Sequence, residues 1–193
     1  MDLTQGTFNE KKDRSRKMML WFAMISMFMT FAGLTSAYIV SQERPDWLQS
    51  LVLPTAFFYS TLVIAVSSGT FHFAKISIQK GDRGRTSLFL LLTLGLGIIF
   101  VILQFVGFNE IIANNYFFTG QSSTVTTSFI YIITATHLMH VAVGIIVLLV
   151  VIYNHFKQRY KQGQTLGLEL GAMFWHFLDI LWVFLFLFLY FLK

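Results

Sequence analysis

The sequence contains no cysteine. That excludes a disulfide, a covalently attached haem c, an iron–sulfur cluster and a thiolate-bridged copper centre, and it removes redox state as a guide to compartment. Charge is scarce too. Only 12% of the residues are Asp, Glu, Lys or Arg, against 55% hydrophobic, and 22 Phe are crowded into apolar runs. With a mean hydropathy of +0.66, this is the composition of a membrane protein. A net charge of +5 points to nucleic acid only where basic residues form a patch. Here they sit between apolar runs, which points to membrane topology instead.

What is present is a set of five long apolar runs, about 18–40, 51–74, 86–108, 126–153 and 170–192, each of 23 residues or more. Roughly 20 residues at about 1.5 Å each cross the hydrocarbon of a bilayer. The expected fold is therefore all-α: a polytopic bundle of five transmembrane helices. Residues 1–17 form a polar N-terminal segment, and 18–193 a single transmembrane domain. The first run is too long for a typical signal-peptide core, so it reads as a retained helix. Pro54 fits the first turn of the second span, where a missing N–H costs little. Residues 113–124, rich in Asn, Thr, Ser and Gly, read as a loop.

The basic residues give the orientation. Lys11, Lys12, Arg14, Arg16 and Lys17 precede the first span. Lys75, Lys80, Arg83 and Arg85 follow the second, and Lys157, Arg159 and Lys161 follow the fourth. Of the 14 Lys and Arg, only Arg44 and Lys193 fall on the other side. The positive-inside rule then puts the N-terminus in the cytoplasm and Lys193 outside. Lys75, Arg83 and Arg85 are candidate contacts for lipid headgroups as well as topology anchors.

Few polar residues remain inside the spans, and they carry the functional question. Asp179 is the only charged residue of the last run. His176 precedes it by three residues, which on a helix places both on one face. His137 and His140 have the same spacing on the fourth span, and His72 lies late in the second. Three readings compete. Imidazoles could hold a haem or another metal, but there is one close pair and no carboxylate beside it. Asp179 and the histidines could relay protons, but the outer halves of the spans offer only Ser, Thr, Tyr and Gln, with Gln104 the best of them. The spacing favours a third reading, in which these side chains cross-link helices by hydrogen bonds worth about 0.6–2 kcal/mol each. On that reading His176 and Asp179 join the fourth and fifth spans. The small residues Ala32, Gly33, Ser36 and Ala37 of the first span, and Ser67, Ser68 and Gly69 of the second, suit close helix packing.

Two segments carry a family resemblance. Thr134, His137, His140, Val141 and Gly144 resemble the T-G-x-H-x-x-H-V-x-x-G signature of subunit III of the haem–copper terminal oxidases. Trp175-His176-Phe177-Leu178-Asp179-Ile180-Leu181-Trp182-Val183-Phe184 resembles that family's W-H-F-x-D-x-x-W-x-F signature. Residues 26–38 are similar to its S-E-x-x-x-F-x-G-L-x-x-A-Y helix, and the chain looks like the five-span bacterial form. Two positions depart from the pattern. Met27 stands where the family has a glutamate linked to proton handling, and Ala135 where it has glycine.

The resemblance implies a non-catalytic subunit of a bacterial cytochrome c oxidase in the cell's inner membrane. It would have no cofactor of its own, with haem and copper in partner subunits I and II. It would pack on subunit I, hold phospholipid, and sustain proton uptake and turnover stability. His137, His140, Trp175, His176, Asp179 and Trp182 then form a buried structural network rather than a catalytic site. A quinol oxidase subunit shares the same plan. A small membrane haem or transport protein is the alternative from another class.

Overall fold

The computed structural model describes residues 7–48, 53–120, 123–160 and 165–192; the side chain of Asn9 is not described. The start of the second predicted span, Lys161 and Lys193 lie outside these residues. Five α-helices follow in order: α1 (Phe8–Val40), α2 (Thr55–Gln79), α3 (Arg83–Ala113), α4 (Val125–Phe156) and α5 (Leu166–Phe191). All five are long and apolar enough to cross a membrane. Among the described residues the only β pairing is an isolated bridge, Phe117 with Ser123.

The helices overrun the predicted spans, chiefly at the basic ends. α1 starts ten residues before the expected boundary at 18, because Thr7 and Glu10 close a reciprocal capping box at its N-terminus. The polar residues 8–17 are thus helical and continuous with the first span. α3 begins at Arg83, capped by the Asp82 side chain, and ends at Ala113. α5 begins at Leu166, four residues early. Hydropathy marks what the hydrocarbon requires, whereas caps decide where backbone hydrogen bonding stops. Pro54 falls one residue outside the expected place. It is the N-cap of α2, with ψ 137°, rather than a residue of the first turn. After α2 the chain reverses through Gly81, at φ 80°, where the Asp82 N–H reaches back to the Ser77 carbonyl. That left-handed position suits glycine.

α5 is the axis of the bundle. Its most apolar window is 56% buried, against 17% for α1. α5 packs on α1, α2 and α4, and α3 packs on α2 and α4. Aromatic side chains fill the core: Phe57, Phe71, Phe100, Trp175 and Trp182 are essentially inaccessible. Short polar links join neighbours. Thr70 and Thr93 share a hydrogen bond of 2.8 Å, and Gln104 donates to Ser60 at 2.9 Å, both between α2 and α3. At the far end Gln42 donates to the Leu192 carbonyl at 3.0 Å, which satisfies one of the last carbonyls of α5.

Candidate functional site

The polar face of α5 is met by α2. Trp175 donates its indole N–H to Ser67 Oγ at 3.2 Å. One residue on, His176 Nδ1 pairs with Ser68 Oγ at 2.6 Å. Two turns further, Trp182 donates to Thr61 Oγ1 at 3.1 Å. Residue numbers rise on α5 as they fall on α2, so the two helices run antiparallel. The seven-residue step from Trp175 to Trp182 keeps both indoles on one face of α5, and their acceptors on α2 are Ser67 and Thr61. A hydroxyl so placed gives the large indole a partner for its only polar atom, the condition for burying a tryptophan.

His176 and Asp179 do not join α4 to α5, as expected from the sequence. His176 turns to α2, and the Ser68 hydroxyl also lies within interacting reach of the Asp179 carboxyl. Residues 175, 176, 179 and 182 share one side of α5; Trp175, His176 and Trp182 bond from it to α2, and the two indoles also touch α4 at Gly144 and His137. Asp179 is 4% exposed, and its Oδ2 has no hydrogen-bond partner among the described residues.

The α4 histidines contribute differently. His137 is buried and stacks on the Trp182 ring, centroids 5.1 Å apart at 30°. Phe31 and Phe100 close the other sides, each at 6.2 Å. Its Nδ1 has no hydrogen-bond partner among the described residues. His140 turns back onto its own helix, Nδ1 lying 2.7 Å from the Thr136 carbonyl. A carbonyl only accepts, so that nitrogen carries the proton. Four of the six residues singled out from the sequence thus gather in one α2–α4–α5 core, namely His137, Trp175, Asp179 and Trp182. His176 borders it, and His140 stands apart. Ser68 and Thr61 were not singled out as partners.

The candidate lipid contacts separate. Arg83 donates to the Tyr160 carbonyl at 3.2 Å, bracing the α4–α5 turn. Arg85 pairs with Asp82 at 3.1 Å. Lys75 lies in a different place, a cleft beside α1 and α5.

The α2–α5 seam gives a direct prediction. Ser67→Ala and Trp175→Phe should show a coupling of about 0.6–1.7 kcal/mol in a double-mutant cycle. The readout is the unfolding midpoint of the chain in mixed detergent micelles. Strictly additive effects would show that the bond contributes nothing.

Fold and site define a multi-pass membrane protein whose helices are cross-linked by buried aromatic and polar side chains. Among the described residues no group of three or more His, Cys, Asp or Glu is placed to hold a metal ion. The family described as "Cytochrome c oxidase subunit III" matches residues 5–193, and the chain belongs to that family. Among similar proteins, cytochrome c oxidase subunit 3 of Thermostichus vulcanus is 28% identical over 176 residues, covering 88% of this chain and 83% of that protein. The Corynebacterium diphtheriae protein of the same name is 29% identical, covering 86% and 82%. The Pelomedusa subrufa protein, also of that name, is 34% identical over 134 residues, covering 68% of this chain and 48% of that longer protein.

Proposed function

We propose that this chain is the non-catalytic subunit III of a bacterial cytochrome c oxidase. It lies in the inner membrane with its N-terminus cytoplasmic and its C-terminal end outside. It packs on subunit I, holds phospholipid and sustains proton uptake, while haem and copper reside in subunits I and II. One observation carries the reading. The two signature segments are packed on each other: His137 stacks on Trp182, and Gly144 lies against Leu178 and the Trp175 ring. The signature residues thus serve one helix contact, as expected of a structural subunit. The names of the relatives favour cytochrome c over quinol as electron donor. The charge distribution supports the orientation.

The test is to purify the tagged chain from membranes in mild detergent and identify what accompanies it. A large haem-bearing subunit should co-purify, together with a subunit carrying copper-binding cysteines. The chain separated from them should show no haem absorbance. Absence of a haem-bearing partner, or haem on the isolated chain, would overturn the assignment.

Asp179→Asn addresses the role of the buried carboxyl. The substitution keeps the volume but changes the hydrogen-bonding pattern beside Ser68, an effect on the order of 1 kcal/mol. The half-life of oxidase activity during turnover should shorten about fivefold, with the haem content of the retained subunit I unchanged. Loss of haem in proportion to activity would place Asp179 in a different role.

A further inference from the structure

Four buried side-chain atoms have no hydrogen-bond partner among the described residues: Gln104 Oε1, Thr134 Oγ1, His137 Nδ1 and Asp179 Oδ2. Three of them gather at one level of the α3–α4 contact. Two ring pairs fix the register of those helices. Phe100 meets His137 with centroids 6.2 Å apart, and Phe108 stacks on Tyr131 at 5.4 Å. Numbers rise on α3 as they fall on α4, so the two helices run antiparallel. Midway between the two pairs, Gln104 of α3 stands opposite Thr134 of α4. Both are inaccessible, at 1% and 0% exposure. His137 follows Thr134 by three residues, one turn along the same side of α4. Asp179 lies elsewhere, beside Ser68.

Neighbouring bonds fix the direction of the Gln104 amide. The Ser60 hydroxyl donates to the Phe57 carbonyl at 2.8 Å, so toward Gln104 it can only accept. The Gln104 NH2 group donates to it at 2.9 Å. The amide oxygen is therefore turned away from Ser60 and left as a bare acceptor. Within hydrocarbon no solvent reaches such a group, and buried polar atoms are rarely left unpaired. Three of them on neighbouring turns match the surroundings of a buried water, which makes about three hydrogen bonds. Their chemistry is complementary. Gln104 Oε1 accepts, the Thr134 hydroxyl donates, and His137 Nδ1 accepts when the other ring nitrogen carries the proton. A water that donates to Gln104 and His137 and accepts from Thr134 satisfies all three. Rings limit the size of the occupant. The Phe108–Tyr131 stack lies about 6 Å along α3 to one side of Gln104, and Phe100, packed on Trp182, about 6 Å to the other. A molecule the size of water leaves those rings in place.

We propose that Gln104, Thr134 and His137 form a binding site for one buried water that bridges α3 and α4. The water extends a chain of polar contacts across the bundle, from the Phe57 carbonyl through Ser60 and Gln104 to Thr134. Ser87 and His155 already tie α3 to α4 at 2.9 Å. The water supplies a second tie about 25 Å further along α3. It also selects the Nε2–H tautomer of His137, the ring that stacks on Trp182. This chain alone builds the site, so the site does not depend on the oxidase assignment.

The experiment is electron cryomicroscopy of the intact complex in mild detergent, at a resolution that shows ordered water. Density is expected about 2.5–3.0 Å from both Gln104 Oε1 and Thr134 Oγ1. Thr134→Val, which keeps the shape and removes the hydroxyl, should lose that density, and Thr134→Ser should keep it. The unfolding constant of the full chain in mixed micelles gives a second reading. Thr134→Val should raise it about tenfold in the wild-type chain, the effect of one buried hydrogen bond. In a Gln104→Leu background, where the bridge is already lost, the same change should raise it no more than about twofold. Equal effects of Thr134→Val in the two backgrounds overturn the bridge. A map without density between Gln104 and Thr134 overturns it as well, and so does a map in which the two side chains bond directly, since that contact would couple them without water. The wild-type map decides the site even where a variant does not fold.

Discussion

Trp182→Ala is expected to destabilise the bundle by about 3–5 kcal/mol, the range for deleting a fully buried large aromatic side chain. Trp182 is 1% exposed and touches three other helices. It meets Phe57 of α2 edge-on at 5.7 Å, Phe100 of α3 edge-on at 5.4 Å and His137 of α4 face-on at 5.1 Å. Its N–H goes to Thr61. Edge-to-face rings add roughly 0.5–1.5 kcal/mol each beyond burial, and neighbours anchored on separate helices cannot all collapse into the vacated space. Trp182→Phe keeps most of the ring and loses the bond to Thr61, so about 1 kcal/mol should be lost there. Unfolding midpoints of both variants in mixed micelles provide the measurement. If alanine costs no more than phenylalanine, the ring contacts are not what holds the four helices together.

The second large effect is a clash. Gly107→Ala would push a methyl group into the Phe57 ring. Phe57 is fully buried and is wedged edge-on between Phe108 and Trp182, so it has nowhere to rotate. Overpacking of this kind costs about 1–3 kcal/mol, and more where the neighbour is rigid. The control lies on the same helix. A Cβ at Gly95 meets nothing within 4 Å, so Gly95→Ala should be neutral or slightly stabilising, since alanine suits a helix better than glycine by about 1 kcal/mol. Equal effects at the two positions would rule out the α2–α3 contact as the cause. Both glycines sit in the same apolar run, and nothing in the sequence separates them.

That pair shows where sequence reading stops. The number and approximate placement of the five helices followed from run length, because the hydrocarbon thickness sets how many apolar residues a helix needs. The two motifs on the last two runs led to the family. Caps then shifted the boundaries, since Thr7, Asp82 and Thr124 extend hydrogen bonding past the apolar segment. The helix partner of His176 was misread for a physical reason. In lipid an apolar side chain can face the bilayer or another helix equally well, so hydrophobic periodicity does not mark the inward face as it does in water. Only the rare polar residues mark it, and they say that a partner exists without saying on which helix.

The sequence by itself thus determined that this is a five-helix membrane chain of the subunit III type, because length, charge distribution and signature spacing are properties of the chain. Tertiary structure alone decided that the α5 polar face closes on Thr61, Ser67 and Ser68 of α2, that Trp182 rather than Asp179 joins four helices, and that α1 stands away from α2 to leave a cleft. Those outcomes depend on helix rotation and on the fit of rings into gaps left by glycine, which only close packing of all five helices can fix.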